Sequence, residues 1–236
     1  MKPIIGIVGR PEITERYSRE STMCFDDYRT AIVNNGGIPI LILPTQNENY
    51  CRKMPREVPL MTESEKADLI ESLKLCDGFV LPGGNRIYDY DSVIADYVIE
   101  NNIPTLGICM GMQTLVFRDF KDAETRIDVL KKIETGLNHK ELDKKYVHKV
   151  RIEKDSKLYE IIGKEEIDVN SKHIYAVNKY KDVKITAYSE DGAIEGIEFS
   201  DKDFIIGVQW HPESMEEYDE NMRKLFKAFI DKASKK

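Results

Sequence analysis

The chain has 236 residues, 41% of them hydrophobic, which suffices for one substantial core; with no Pro/Ser/Gly-rich linker in between, a single domain over residues 1–236 is expected. A formal charge of −7, with Lys and Arg interleaved among acids, argues against a nucleic-acid surface, and no apolar run is long enough to cross a bilayer. Cys24, Cys51, Cys76 and Cys109 show no paired or C-x-x-C spacing and the first residues enter a strand without a leader pattern, so a soluble, reduced, cytoplasmic protein is expected, with neither cofactor nor metal.

Along the first half, apolar runs predict strands from Ile4 to Val8, Ile38 to Leu43, Gly78 to Leu81 and Thr105 to Ile108. Helical segments lie between them, near Phe25 to Asn35, Glu63 to Leu73 and Ser92 to Asn101; Thr62 and Glu65 stand in capping-box register ahead of the second. Alternating strands and helices imply an α/β fold with an open, mostly parallel central sheet covered on both faces. The polar stretch Thr45 to Met61 reads as a long mobile connection near the rim of any site at the sheet edge. After the charged stretch 118–145, the second half becomes β-rich, with short runs at Val147 to Ile152, Ile167 to Val169, Ile174 to Val177, Val183 to Tyr188, Ala193 to Phe199 and Phe204 to Gln209. A closing helix is expected from about Glu217 to Ala233, with Met222, Leu225, Phe226 and Phe229 at helical spacing as core residues.

The segment Thr105-Leu106-Gly107-Ile108-Cys109-Met110-Gly111-Met112-Gln113 places a cysteine between two glycines where a strand meets a helix. This is the pattern of a nucleophile elbow, in which a side chain sits in strained backbone at the tip of a sharp turn and nearby glycines remove the Cβ atoms that would collide. The helix dipole behind the turn favours thiolate over thiol. Alone, the pattern leaves open whether Cys109 is a reactive nucleophile or a packed small hydrophobe. The run Phe204 to Glu213 reads as a buried strand ending in His211, with Pro212 and then Glu213. A histidine at the carboxyl end of one strand can meet a cysteine at the end of its neighbour, and a carboxylate can set the tautomer of that histidine. Cys109, His211 and Glu213 are therefore the candidate nucleophile, acid/base and orienting group.

On G-x-C-x-G-x-Q and H-P-E the chain resembles the class I glutamine amidotransferases, and more narrowly the peptidase C26 or γ-glutamyl-γ-aminobutyrate hydrolase branch. The narrower resemblance rests on Pro3-Ile4-Ile5-Gly6-Ile7-Val8 followed by Tyr28 and Gly36-Gly37-Ile38-Pro39-Ile40-Leu41, on Asp77 to Gly84, on Val169-Asn170-Ser171-Lys172-His173, and on Ser189 to Glu198. It implies a flavodoxin-like fold and a Cys-His-Glu triad. The backbone N–H groups of Gly84 and Met110 would form the oxyanion hole, and Gln113, Asn170, Ser171 and His173 would hold the glutamyl group. By itself, Gln113 reads as a solvated or capping side chain and His173 as a structural histidine.

The implied activity is hydrolysis of γ-glutamyl amides through a γ-glutamyl thioester, with a small-molecule substrate and no cofactor. A homodimer is compatible with this reading. The alternative is a glutaminase subunit supplying ammonia to a synthase partner, which is disfavoured by the lack of a fused synthase domain. Departures from the branch pattern fall on the leaving-group side. Met110 replaces a frequent Arg, Tyr175 a frequent Gln, Asn85-Arg86-Ile87 the usual D-V, and the charged stretch 118–145 a glycine-rich segment. Arg86 and Lys172 are candidates for pairing with a substrate carboxylate.

Overall fold

A computed structural model describes residues 1–14, 18–48, 50–120 and 128–234. The polypeptide opens with strand β1 (Ile4–Val8), a hairpin of β2 (Arg10–Thr14) and β3 (Arg19–Met23), helix α1 (Asp26–Asn34) and β4 (Ile38–Ile42). Then come α2 (Glu63–Leu73), β5 (Gly78–Leu81), α3 (Asp89–Glu100), β6 (Thr105–Ile108) and α4 (Met110–Phe117). Short strands β7 (Leu130–Lys132) and β8 (Lys140–Glu141) precede β9 (His148–Ile152), helix α5 (Lys157–Ile162) and β10 (Glu166–Val169). The chain ends with β11 (Ser171–Lys172), β12 (Tyr175–Val177), β13 (Lys184–Ser189), β14 (Ile194–Glu198), β15 (Ile205–Val208) and α6 (Glu220–Ala233).

Nine strands form one sheet in the order β10-β9-β13-β14-β15-β6-β5-β1-β4. From β15 to β4 the pairing is parallel, and the β-rich half extends the same sheet antiparallel from β14 outward. Parallel strands covered by helices on both faces need apolar side chains at every position, and β5, β6 and β15 are buried throughout. Successive residues then feed opposite cores. Val80 joins Ile5, Ile7, Leu106 and the α6 residues Leu225, Phe226 and Phe229, whereas Phe79 and Leu81 join Val8, Leu69 of α2 and Ile94 of α3.

Element ends follow from caps. Glu65 N–H donates to the Thr62 hydroxyl at 3.3 Å while Thr62 N–H donates to the Glu65 carboxylate at 2.8 Å, the reciprocal arrangement expected from the sequence. Helix α3 starts at Asp89, three residues earlier than predicted, because Asp91 reaches back to accept from Tyr88 N–H at 2.8 Å. Helix α6 starts at Glu220 rather than Glu217 because the Asp219 carboxylate caps it, accepting from Asn221 N–H at 2.8 Å.

One sequence expectation changes, and the charged stretch gains a structure. The described part of the 45–61 connection is tied down: Tyr50 is buried, its ring edge-on to Tyr88 and Tyr90 at 5.0 and 5.3 Å, and its hydroxyl donates to Gln46 at 2.5 Å. The charged stretch 118–145 includes residues 121–127, which lie outside the described residues, but its later part forms β7 and β8. These pair with β12 and β11 as two short ribbons beside the main sheet. No described helix is long and apolar enough to cross a membrane.

Candidate active site

Strands β6 and β15 pair in parallel with Thr105 opposite Ile205 and Ile108 opposite Val208. This register brings the residues that follow both strands, Cys109 and the run 209–211, to the same carboxyl edge, where open α/β sheets gather their ligands. Cys109 N–H donates to Val208 O at 2.8 Å, and the chain then turns directly into α4 with Cys109 at φ 52° and ψ −107°. A non-glycine residue in that region is strained.

The flanking glycines are required sterically. A Cβ on Gly111 would sit 1.9 Å from Leu81 O, and one on Gly107 would sit 2.9 Å from the Gly111 carbonyl group. No side chain fits at either position without moving backbone.

His211 stands just past β15, and Pro212 starts the short 3₁₀ turn Pro212–Ser214 that carries Glu213. Nδ1 of His211 lies 2.7 Å from Glu213 Oε1. Burial alone would lower the imidazole pKa, but the charges of Glu213 and Cys109, with hydrogen bonds to both, raise it to about 10. The geometry thus favours an imidazolium held between the Glu213 carboxylate and the Cys109 sulfur. The Gly83-Gly84 loop packs over the pair: a Cβ on Gly83 would approach His211 Cε1 to 2.8 Å and Cys109 Cβ to 3.5 Å. Gly84 packs against the Met110 side chain, so a Cβ there would be 2.8 Å from Met110 Cε. Met110 opens α4, and its N–H belongs to the first turn, which has no acceptor within the helix.

Beside Cys109 lies a cavity of about 640 Å³ whose lining includes Gly84, Met110, Gln113, Lys140, Lys172 and Tyr175. Arg86 also lines it, its guanidinium donating to Lys53 O at 3.0 Å. Lys172 Nζ lies 3.4 Å from the Ser214 hydroxyl. Among the described residues no carboxylate pairs with Arg86, Lys140 or Lys172, so the cavity carries uncompensated positive charge.

The residues expected to hold the glutamyl group divide. Gln113 lines the cavity, and its side-chain N–H groups donate to Tyr175 O at 3.2 Å and Gln209 Oε1 at 3.1 Å. Asn170 and Ser171 do not line it. Both ends of the Asn170 amide are taken by the His211 main chain, and the Ser171 hydroxyl donates to His139 O at 2.7 Å. These two act one layer behind the cavity wall, because the register of β11 and the His211 turn leaves their polar atoms partners in the protein interior. His173 touches the cavity, but Nδ1 is 3.1 Å from Tyr175 O and Nε2 faces Glu195 at 3.4 Å.

Two participants escaped the sequence reading as site residues. The buried Tyr28 hydroxyl accepts from Gly83 N–H at 2.9 Å and is raised well above its usual pKa by burial and by Glu213, so it ties the Gly83-Gly84 loop to the triad. Buried Gln209 bridges to Gln113. The only local signal for Tyr28 was a tyrosine in an otherwise polar helix start, and nothing local marks Gln209.

The sequence model of the peptidase C26 family matches residues 89–213, which spans α3, the elbow and the His-Pro-Glu turn. The chain belongs to the peptidase C26 family. It is 29% identical to a glutamine amidotransferase-like protein of Rickettsia prowazekii, over 99% of this chain and 98% of that one. A glutamine amidotransferase of Schizosaccharomyces pombe is 30% identical over 87% of this chain and 81% of its own. Among solved structures, the glutaminase domain of Trypanosoma brucei CTPS with bound acivicin superposes with a TM-score of 0.66 at 18% identity, covering 99% of this chain and 94% of that one. The peptidase C26 chain therefore carries the glutamine amidotransferase fold, and membership supports amide-bond hydrolysis as the class of chemistry.

Proposed function

We propose that this peptidase C26 protein hydrolyses γ-glutamyl amides of small amines, γ-glutamyl-γ-aminobutyrate being the type substrate, through a γ-glutamyl thioester on Cys109. The observation that carries the reading is the convergence of a strained Cys109, which lines the cavity, with a His211 held by Glu213 at 2.7 Å. The Cys109 thiolate attacks the γ-carbonyl carbon and the C=O electron pair moves to oxygen, where Gly84 and Met110 N–H groups meet it. Each such donor is worth about two to three powers of ten in rate. As the C–N bond breaks, His211 gives its proton to the departing nitrogen and the amine leaves. Water then loses a proton to His211 and attacks the thioester; the C–S bond breaks, freeing glutamate and restoring the thiolate.

Positive charge from Lys140, Lys172 and Arg86 around the cavity supports an anionic substrate, with the α-carboxylate of the glutamyl group or a carboxylate on the leaving amine as partner. Assay of the purified protein alone on glutamine and a panel of γ-glutamyl amides tests this, with faster turnover expected on amides of carboxylated amines than on glutamine. Activity confined to glutamine and appearing only when a synthase is added would replace it with the ammonia-supplying reading.

A further inference from the structure

The chain contains four histidines; one is His211, and the other three converge on a single buried carboxylate, Glu195. His139, His148 and His173 are 4, 4 and 5% exposed, and Glu195 is fully buried. One ligand atom from each of the four lies within 4.8 Å of the others. Glu195 Oε1 is 3.5 Å from His139 Nδ1, 3.8 Å from His148 Nε2 and 3.4 Å from His173 Nε2. These separations are close to the edge of about 3.3 Å that a tetrahedron of ligands at roughly 2.0–2.1 Å from zinc requires.

The facing nitrogens and both Glu195 oxygens have no hydrogen-bond partner. The outward-facing nitrogens do: His148 Nδ1 meets Lys149 O at 3.2 Å, His173 Nδ1 meets Tyr175 O at 3.1 Å, and His139 Nε2 meets Asp191 Oδ2 at 3.0 Å. A carbonyl oxygen only accepts, so in His148 and His173 the proton sits on Nδ1 and the lone pair of Nε2 points inward. Asp191 does the same for His139, and it is itself held by Ser189, Thr135 and the Ala193 N–H. The result is lone pairs from three imidazoles and one carboxylate aimed at a common point. Each imidazole is backed by the kind of acceptor that fixes the tautomer of a metal ligand. An extra proton could satisfy one of these contacts, and at 3.4–3.8 Å only poorly, leaving the other lone pairs buried and opposed.

We propose that His139, His148, His173 and Glu195 form a closed four-ligand site for a divalent transition metal, zinc foremost. Three imidazoles select zinc or another late first-row ion over magnesium or calcium, and four protein ligands without an open position make the site structural. The ligands come from both ribbons and from the main sheet. His139 precedes β8, His173 lies between β11 and β12, His148 begins β9 and Glu195 lies on β14. The metal would clamp the ribbons, and with them the cavity wall of Leu130, Lys140, Lys172 and Tyr175, to the sheet. Glu195 O also accepts from Gln209 N–H at 2.8 Å, so the same clamp reaches the strand end that carries His211.

The test is metal analysis of the full chain produced without a polyhistidine tag in zinc-supplemented medium. About one zinc per chain is expected, retained in Cys109→Ala and lost in His148→Ala and Glu195→Gln. Protein stripped with a chelator should regain thermal stability when Zn²⁺ is added back, with Tm rising by at least about 5 °C. Cobalt in place of zinc should show the strong visible absorption of a tetrahedral site. Folded wild-type protein that takes up none of Zn²⁺, Co²⁺ or Fe²⁺ and shows no thermal shift with them overturns the proposal. So does metal that stays in folded Glu195→Gln or leaves with Cys109→Ala, because that metal would be held at the thiol. None of these readouts depends on turnover of γ-glutamyl substrates.

Discussion

The side-chain amide of Asn170 closes on the main chain of His211 from both ends: its N–H₂ donates to His211 O at 2.9 Å, and its oxygen accepts from His211 N–H at 2.8 Å. This pair fixes the peptide from which the imidazole is hung, and Glu213 then fixes the ring. Replacing Asn170 with Ala removes two largely buried hydrogen bonds, each worth about 0.5–1.5 kcal/mol, and frees the His211 backbone. The expected outcome is a fall in kcat of about ten- to a hundred-fold with KM changed far less, checked by steady-state kinetics on a γ-glutamyl amide. A substrate-contacting role for Asn170 would instead raise KM.

The strained backbone at Cys109 separates activity from stability. Cys109→Ala should abolish glutamate release while the fold persists. Cys109→Gly should also be inactive, yet be at least as stable as the wild type, because glycine relieves a φ of 52° whose cost is about 1–3 kcal/mol. Urea denaturation of the three proteins checks the order, and a Gly variant clearly less stable than the Ala variant would contradict the strain.

The pH dependence of the triad follows from the charges around His211. Its pKa in the folded protein, about 10, lies above the ordinary value of 6.5. Its stabilising contribution is therefore fully present below about pH 6.5 and is lost as pH rises through about 10. Glu213→Gln removes one of the two charges that hold the proton, so its His211 midpoint should fall and the stability gap to wild type should narrow over that same window. An NMR titration of His211 and urea midpoints between pH 6 and 10 report the two effects. In the proposed mechanism Glu213 orients His211 and transfers no proton, so Glu213→Gln should also cost less activity than His211→Ala.

Gly111 is the steric keystone of the elbow. A methyl group there would meet Leu81 O at 1.9 Å, a backbone atom of the central strand β5 that cannot yield without disturbing the sheet. Gly111→Ala should destabilise by about 3 kcal/mol or more, the upper range of overpacking, and lower the thermal midpoint accordingly. Gly136, with open space around its Cβ position, is the control, and alanine there should be near neutral.

Much of the site was legible along the chain because its parts are local. The elbow is a run of consecutive residues whose glycine spacing states a steric need, and His211 and Glu213 are separated by one proline in a tight turn. The parallel half of the fold was equally legible, since β1, β5 and β6 are unbroken apolar runs between helices with readable ends. The α3 boundary was missed because its cap comes from Asp91 inside the helix. Tyr50 was missed because an aromatic in a polar stretch reveals its burial only when Tyr88 and Tyr90 are placed around it.

What the sequence by itself determined is the elbow, the His-Pro-Glu turn and the two-faced apolar strands that carry them, because each depends on residues within one turn or one strand. What only the tertiary structure decided is where the β-rich half goes and what its polar residues meet. Alternation along β9 and β14 shows which side chains share a face, but the pairing of strands across the sheet is a property of the whole fold. That pairing sends Asn170 to the back of His211 instead of to the cavity, and it gathers His139, His148 and His173 around Glu195. His173, which by itself reads as a structural histidine, thereby joins two histidines far from it along the chain in a set of ring nitrogens with one common focus.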